Sequence, residues 1–241
     1  MQKTIRLFSC GVLFFSSLTL AHAKPVATLS LGVDNVTINQ TNTNVIYIPP
    51  FYNTYAGSNE SDTQLLGGIF LGTEFDFRSL WDWQLGLSYY SNSAFLVQGQ
   101  VYEFGLPAYN SVGYEYDVQS QRALVETKLL YTLRKIFHPY VDVGIGESFN
   151  LASNYMEYPI TSDGAPMSQP FGSKSMNNFT YLVGLGVDMD VTHYLRVGFG
   201  YRYADLGKAG LGTTPLEQDT ATLKNKFITS NEFLLQISAV C

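Results

Sequence analysis

The chain is poor in what usually holds a small exported domain together. It has only two cysteines and three histidines among 241 residues, and charged side chains make up 14% of it. Cys10 lies inside an N-terminal segment with the makeup of an export signal. Cys241 is then left without an intramolecular partner, which excludes a disulfide framework. Long apolar runs are missing as well. Gly, Asp, Arg or Glu interrupts every one before it reaches the roughly 20 residues a membrane-spanning helix needs. Basic charge is scarce, with 14 Lys and Arg against 20 Asp and Glu and a formal net charge of −6. An acidic surplus excludes nucleic acid as a partner, because phosphate binding needs a basic field.

What is present at the start is a three-part secretory signal over residues 1–23. Lys3 and Arg6 form a basic start, Gly11 to Leu20 is largely apolar, and Ala21-His22-Ala23 offers a small-x-small cleavage site before Lys24. Cleavage there removes two positive charges and no negative one, taking the net charge to −8. Leu7-Phe8-Ser9-Cys10 precedes most of the apolar region, which argues against lipoprotein processing at Cys10. The expected division is a cleaved signal, 1–23, and one domain, 24–241.

Beyond the signal the chain alternates. In Phe179-Thr180-Tyr181-Leu182-Val183-Gly184-Leu185-Gly186-Val187-Asp188-Met189 every odd position is bulky and apolar, and most even ones are Gly or polar. Successive side chains of a strand point to opposite faces, so the segment has one greasy face and one small or polar face. The rhythm recurs at about 26–36, 64–78, 81–91, 118–133, 140–150, 179–189, 194–204 and 227–240. The connections alternate too. Those at Ser79-Leu80, Lys135 to His138 and Val191 to His193 are short, whereas 37–63, 92–117, 151–177 and 205–226 are long and rich in Asn, Ser, Gly, Pro and Tyr. This pattern predicts an all-β fold: an eight-stranded, antiparallel, up-and-down transmembrane β-barrel with four long external loops and three short periplasmic turns. An even strand count behind a cleaved signal places both termini in the periplasm.

The second face of the strands carries the charge. An eight-stranded barrel is only wide enough for its own side chains. Isolated buried ions are costly, so Glu74, Glu126 and Glu232 are expected to lie among Arg122, Lys128, Arg196 and Arg202 as an interior polar cluster. Glycines on that face are expected to make room for Phe70, Tyr90, Tyr140 and Arg196. Alternation alone does not exclude a soluble barrel with its apolar face inward. Two features favour the membrane: the apolar faces carry almost no charge (Glu147 is the exception), and Trp81, Trp83, Tyr131, Phe137, Tyr181, Tyr201 and Tyr203 fall near strand ends, where girdles lie.

Two stretches carry a family resemblance. Gly198-Phe199-Gly200-Tyr201-Arg202-Tyr203-Ala204-Asp205-Leu206-Gly207-Lys208 resembles the penultimate strand and loop start of bacterial opacity-type, OmpA-like outer-membrane surface antigens. Pro139-Tyr140-Val141-Asp142-Val143-Gly144-Ile145-Gly146 resembles the fifth strand of the same group. The resemblance implies an adhesin, surface antigen or envelope-structural anchor of a Gram-negative outer membrane. The expected partners are outer-membrane lipid and lipopolysaccharide, the barrel assembly machinery, and a host or cell-surface protein or glycan. The family's last strand commonly ends in an aromatic residue, whereas Cys241 stands here.

Chemistry is weakly represented. A hydrolytic mechanism wants a His beside its nucleophile, but His138 and His193 are both expected in short periplasmic turns, far from lipopolysaccharide. Asp188 shares the polar face of its strand, yet as a possible metal pair Asp188 and Asp190 read as solvated turn residues, too few oxygens for Ca²⁺. Gly184-x-Gly186 and Gly198-x-Gly200 lie within strands and are not phosphate loops. No catalytic residue, cofactor or metal site is therefore expected, and the chain reads as a non-enzyme. The long loops hold the candidate contact residues Tyr47, Phe51, Tyr52, Tyr55, Tyr102, Phe104, Tyr109, Tyr155 and Tyr158, since Tyr gives contact area at low entropic cost. The opposing reading has these aromatics packing the barrel rim. The alternative function is an OmpW-like passage of small hydrophobic molecules, followed by a lipid-modifying barrel enzyme.

Overall fold

A computed structural model describes residues 23–48, 51–162, 164, 166, 171–213, 223 and 225–241. The expected export signal lies outside them except for Ala23, which pairs with Phe75 at the foot of the first strand. In chain order the described residues form β1 (Ala23–Gln40), β2 (Thr43–Ile48), β3 (Phe51–Gly57), β4 (Glu60–Arg78), β5 (Trp81–Asn92), β6 (Phe95–Tyr102), β7 (Asn110–Tyr131), β8 (Phe137–Pro159), β9 (Phe171–Gly172), β10 (Lys174–Thr192), β11 (Leu195–Gly207), β12 (Gly212–Thr213) and β13 (Asn225–Val240).

Eight of these close a ring in the order β1-β4-β5-β7-β8-β10-β11-β13, with every neighbour antiparallel and β13 back against β1. The register fixes the shape. Following partners from Val33 through Phe233, Tyr201, Leu185, Val141, Leu129, Trp83 and Phe75 leads back to β1 at Ala23, ten residues below the start. With about 4.8 Å between strands and about 3.3 Å of rise per residue, such a stagger tilts the strands by about 40°. The eight strands expected from the alternation are all present.

The two faces sort as the alternation requires. Leu31, Leu71, Leu87, Ile145, Leu185, Phe199 and Leu235 are all more than half exposed, forming a continuous apolar belt. Aromatic pairs border it, with Trp81 and Tyr131 at 4.9 Å between ring centres, Phe75 and Trp83 at 5.8 Å, and Tyr201 and Phe233 at 5.3 Å. The even-numbered partners of these strands point into the lumen and are buried. Close approach there demands glycine. A Cβ on Gly68 would run into the Tyr90 ring, and one on Gly186 would lie 2.5 Å from the Tyr140 hydroxyl.

The structure departs from the sequence reading above the belt. Much of the expected loop sequence is strand: β7 and β8 continue to pair up to Val112 and Pro159, while β2, β3 and β6 add to the sheet beside β7. Lower down, the β7–β8 turn sits earlier than expected. β7 ends at Tyr131 and β8 begins at Phe137, so Leu133 leaves the strand and His138 enters one.

Candidate functional site: the filled lumen and the external cap

All seven residues of the expected interior cluster lie in the lumen, at 8% exposure or less. Strand parity explains why, because each occupies an inward position opposite a lipid-facing neighbour. Arg122 pairs with Glu232 at 2.5 Å. Arg202 bridges two carboxylates, Glu126 at 2.7 Å and Asp142 at 2.6 Å. Lys128 reaches Asp188 at 3.1 Å and the Gln236 side chain at 3.1 Å, and sits 3.8 Å from the centre of the Tyr140 ring. Arg196 pairs with Glu74 and, at 2.8 Å, with Asp190. Tyr90 stands between the Arg122 and Arg202 guanidinium groups, at 4.9 and 5.2 Å from its ring centre, and donates to Glu126 at 2.9 Å. Such contacts between cations and ring faces are strongest where water is excluded.

The buried set also contains residues that the charge inventory alone did not single out. Asp34 is fully buried and accepts hydrogen bonds from Asn92 and, at 3.0 Å, from Ser230. Its signal was available in its position one residue from Val33 on an alternating strand. Asp188 keeps the inward place that strand parity gave it and is no solvated turn residue, and His138 corrects the expectation of a turn residue. Asp188 is 1% exposed, because β10 runs on to Thr192 and keeps that position inward. His138 is 3% exposed, its Nε2 lying 2.9 Å from Asp190 and its Nδ1 3.1 Å from the Thr132 hydroxyl. His193 remains exposed in the β10–β11 turn, as expected.

The Thr132–His138–Asp190 series places a hydroxyl, an imidazole and a carboxylate in hydrogen-bond sequence. Asp190 is shared with Arg196, and the vestibule of about 730 Å³ at this end of the barrel is lined by Asp190 and His193 but not by Thr132 or His138.

At the other end the long connections knit into a cap. β3 pairs with β6, joining the first connection to the second; β7 pairs with β8, joining the second to the third; β9 pairs with β12, joining the third to the fourth. Ile38, Val45, Leu206, Leu211, Leu223 and Ile228 are buried beneath it. Phe171 sits at its centre, edge-on to Tyr55 at 5.0 Å and to Tyr155 at 5.2 Å. Tyr114 lies 5.7 Å from Tyr55 and 6.0 Å from Tyr155. The Tyr55 and Tyr155 hydroxyls both donate to Glu157, at 3.1 and 2.7 Å.

The candidate loop residues therefore divide. Tyr55 and Tyr155, candidates for surface contact or for packing the rim, are core residues, at 0% and 8% exposure, because the connections fold inward over the barrel. Tyr52, Phe104, Tyr109 and Tyr158 are exposed, and Tyr102 is half-buried. The side chains of Tyr47 and Phe51 lie outside the described part, though their backbones belong to β2 and β3. Phe104, at the tip of the β6–β7 connection, has a φ of +55° and is 50% exposed, its ring edge-on to Tyr109 at 6.0 Å. The Asn53 side chain accepts its backbone N–H at 3.3 Å, and the neighbouring Gly105, itself at φ +69°, packs against the Tyr52 ring.

A closed antiparallel ring with an apolar outer belt and a charged, filled lumen defines a transmembrane β-barrel of the bacterial outer-membrane type. The sequence agrees: the family described as "Outer membrane protein beta-barrel domain" matches residues 8–230, and the chain belongs to it. Among solved structures, Neisserial surface protein A is similar with a TM-score of 0.51 and 12% identity, covering 90% of this chain and 97% of that one. OprG of Pseudomonas aeruginosa gives 0.46 and 16%, over 91% and 97%. The attachment invasion locus protein Ail of Yersinia pestis gives 0.37 and 11%, over 90% and 99%. At these identities the likeness shows the fold alone. No curated protein matches the chain in sequence. The protein is thus placed in the bacterial outer membrane, among phospholipid and lipopolysaccharide.

Proposed function

We propose that the protein is a non-enzymatic surface barrel, an adhesin or surface antigen anchored by its lumen and acting through the cap. In this reading residues 1–23 are removed on export, the barrel assembly machinery inserts the remainder, and both termini face the periplasm. The cap then contacts a host or cell-surface protein or glycan.

The observation that carries the reading is Phe104. A bulky residue at positive φ costs of order 1 kcal/mol, and here that strained turn holds a half-exposed aromatic ring, edge-on to Tyr109, at the tip of the β6–β7 connection. Leu106 and Tyr109, at 51% and 54% exposure, extend the same patch, with Tyr52 beside it. Rigidly presented aromatic rings suit contact with another surface.

The test compares Gram-negative cells carrying the wild-type protein, the Phe104→Gly variant or neither, for adherence to host cells and to one another. Glycine relieves the backbone strain, so folding is kept, as a gel shift on boiling will report. Adherence is expected to rise with the wild-type protein and to fall back several-fold with Phe104→Gly. Equal adherence in all three would leave only the envelope-anchor role.

A further inference from the structure

On the outer wall between β5, β7 and β8 lies a crevice of about 310 Å³ lined by Trp83, Thr127, Leu129, Val141, Asp142 and Val143. Asp142 turns its carboxylate inward to Arg202, so only its backbone faces the crevice. The polar atoms beside it are already engaged: the Trp83 indole N–H donates to the Thr127 hydroxyl, which donates in turn to the Gln84 carbonyl at 2.9 Å. The crevice is therefore apolar, suited to hydrocarbon and without a free donor for a polar guest.

Directly below it, β7 and β8 join in a tight turn in which the Ile136 N–H reaches the Leu133 carbonyl at 3.3 Å. Its two central residues, Arg134 and Lys135, have φ of +49° and +69°. Such positions ordinarily take Asn or Gly, and the strain of placing two long cations there is retained although neither forms an ion pair among the described residues. Both are exposed, and Lys135 also borders the barrel mouth. Their flanks are apolar, with Leu133 and Ile136 each 45% exposed. The cations thus stand at the level of lipid headgroups, with a hydrocarbon slot above them on the same two strands.

We infer that this wall is a binding site for an anionic phospholipid of the periplasmic leaflet. One acyl chain lies in the Trp83–Val143 crevice and the phosphate lies against Arg134 and Lys135. The inference rests on the periplasmic placement of the short turns given above. Two cations near a charged headgroup favour an anionic lipid over a zwitterionic one by about tenfold or more.

Trp83 supplies its own readout, because the chain has only two tryptophans. The full-length Trp81→Phe protein is reconstituted in phosphatidylethanolamine vesicles containing a small fraction of brominated phosphatidylglycerol or brominated phosphatidylethanolamine, and Trp83 quenching is compared. Quenching is expected at about tenfold lower brominated phosphatidylglycerol than brominated phosphatidylethanolamine. Arg134→Ala with Lys135→Ala abolishes that difference, and Val143→Phe, which fills the crevice, weakens quenching by both lipids. Equal quenching by the two lipids, or a preference indifferent to the double substitution, overturns the site. Placement of the turn is read separately, by labelling Lys135→Cys in a Cys241→Ser chain with a membrane-impermeant maleimide. Labelling only after permeabilisation keeps the orientation, so that a lost lipid preference condemns the site alone. Labelling of intact cells overturns both.

Discussion

Arg122 shows what a single residue carries in this lumen. It is 1% exposed, ion-paired to Glu232 and stacked near Tyr90, with Asp34 bonded to Ser230 close by. Removing one partner of such a pair leaves an uncompensated charge, so Arg122→Met is expected to destabilise by about 3–5 kcal/mol. Arg122→Met with Glu232→Leu should recover much of that loss, and urea titration of refolded protein in lipid checks both. On the other face, Leu185→Arg puts a charge where the side chain now meets acyl tails at 59% exposure, with an expected cost of about 2–4 kcal/mol. Gln64→Ala, inward and bonded to Asp62 at 2.8 Å, should cost less. At this scale the sequence was readable wherever parity held. Glu74, Glu126 and Glu232 fell among the four lumen cations because their strands alternate without interruption. His138 was misjudged, and Asp188 was read both inward and as a solvated turn residue, because both lie within a few residues of a turn, where the end of a strand decides between lumen and solvent. A shift of two residues there exchanges the two environments.

Among elements, the short strands behave differently from the ring. The eight ring strands announced themselves through alternation, but β2, β3, β6, β9 and β12 did not. Their sequences, such as Asn53-Thr54-Tyr55-Ala56 or Gly99-Gln100-Val101-Tyr102, mix polar and aromatic residues without a steady period. They are strands because neighbouring connections supply edges to pair with, a tertiary cause that propensity does not record. The cap they build hinges on Phe171, held by only a two-residue pairing of β9 with β12. Phe171→Ala removes the ring that Tyr55 and Tyr155 pack against, a loss of about 3–5 kcal/mol at full burial. The ring of eight strands does not depend on it. Brief protease treatment of intact cells is therefore expected to cleave the variant in residues 160–173 or 205–226 much faster than the wild type. The gel shift on boiling should be unchanged.

For the whole molecule, the filled centre sets the behaviour. Six buried carboxylates (Asp34, Glu74, Glu126, Asp142, Asp188 and Glu232) face four buried cations across the lumen, among the described residues, and the aromatic cap lies above them. An eight-stranded ring leaves no room for an aqueous channel around such side chains. Planar bilayers containing the protein are accordingly expected to show no porin-sized conductance. Steps comparable to those of a sixteen-stranded porin would contradict the observed packing. A saturable-uptake assay with a small apolar solute separates an anchor from a conduit, since the anchor predicts none.

The pairing of β1 with β13 joins residues about two hundred positions apart. Until those two meet, the sheet has two raw margins, each offering a row of unsatisfied amides and carbonyls to any neighbour. Synthesis from one end cannot stitch that seam early, because its second half is made last. The nascent protein must therefore be shielded in transit and zipped shut only at its destination, where hydrocarbon makes an open margin intolerable.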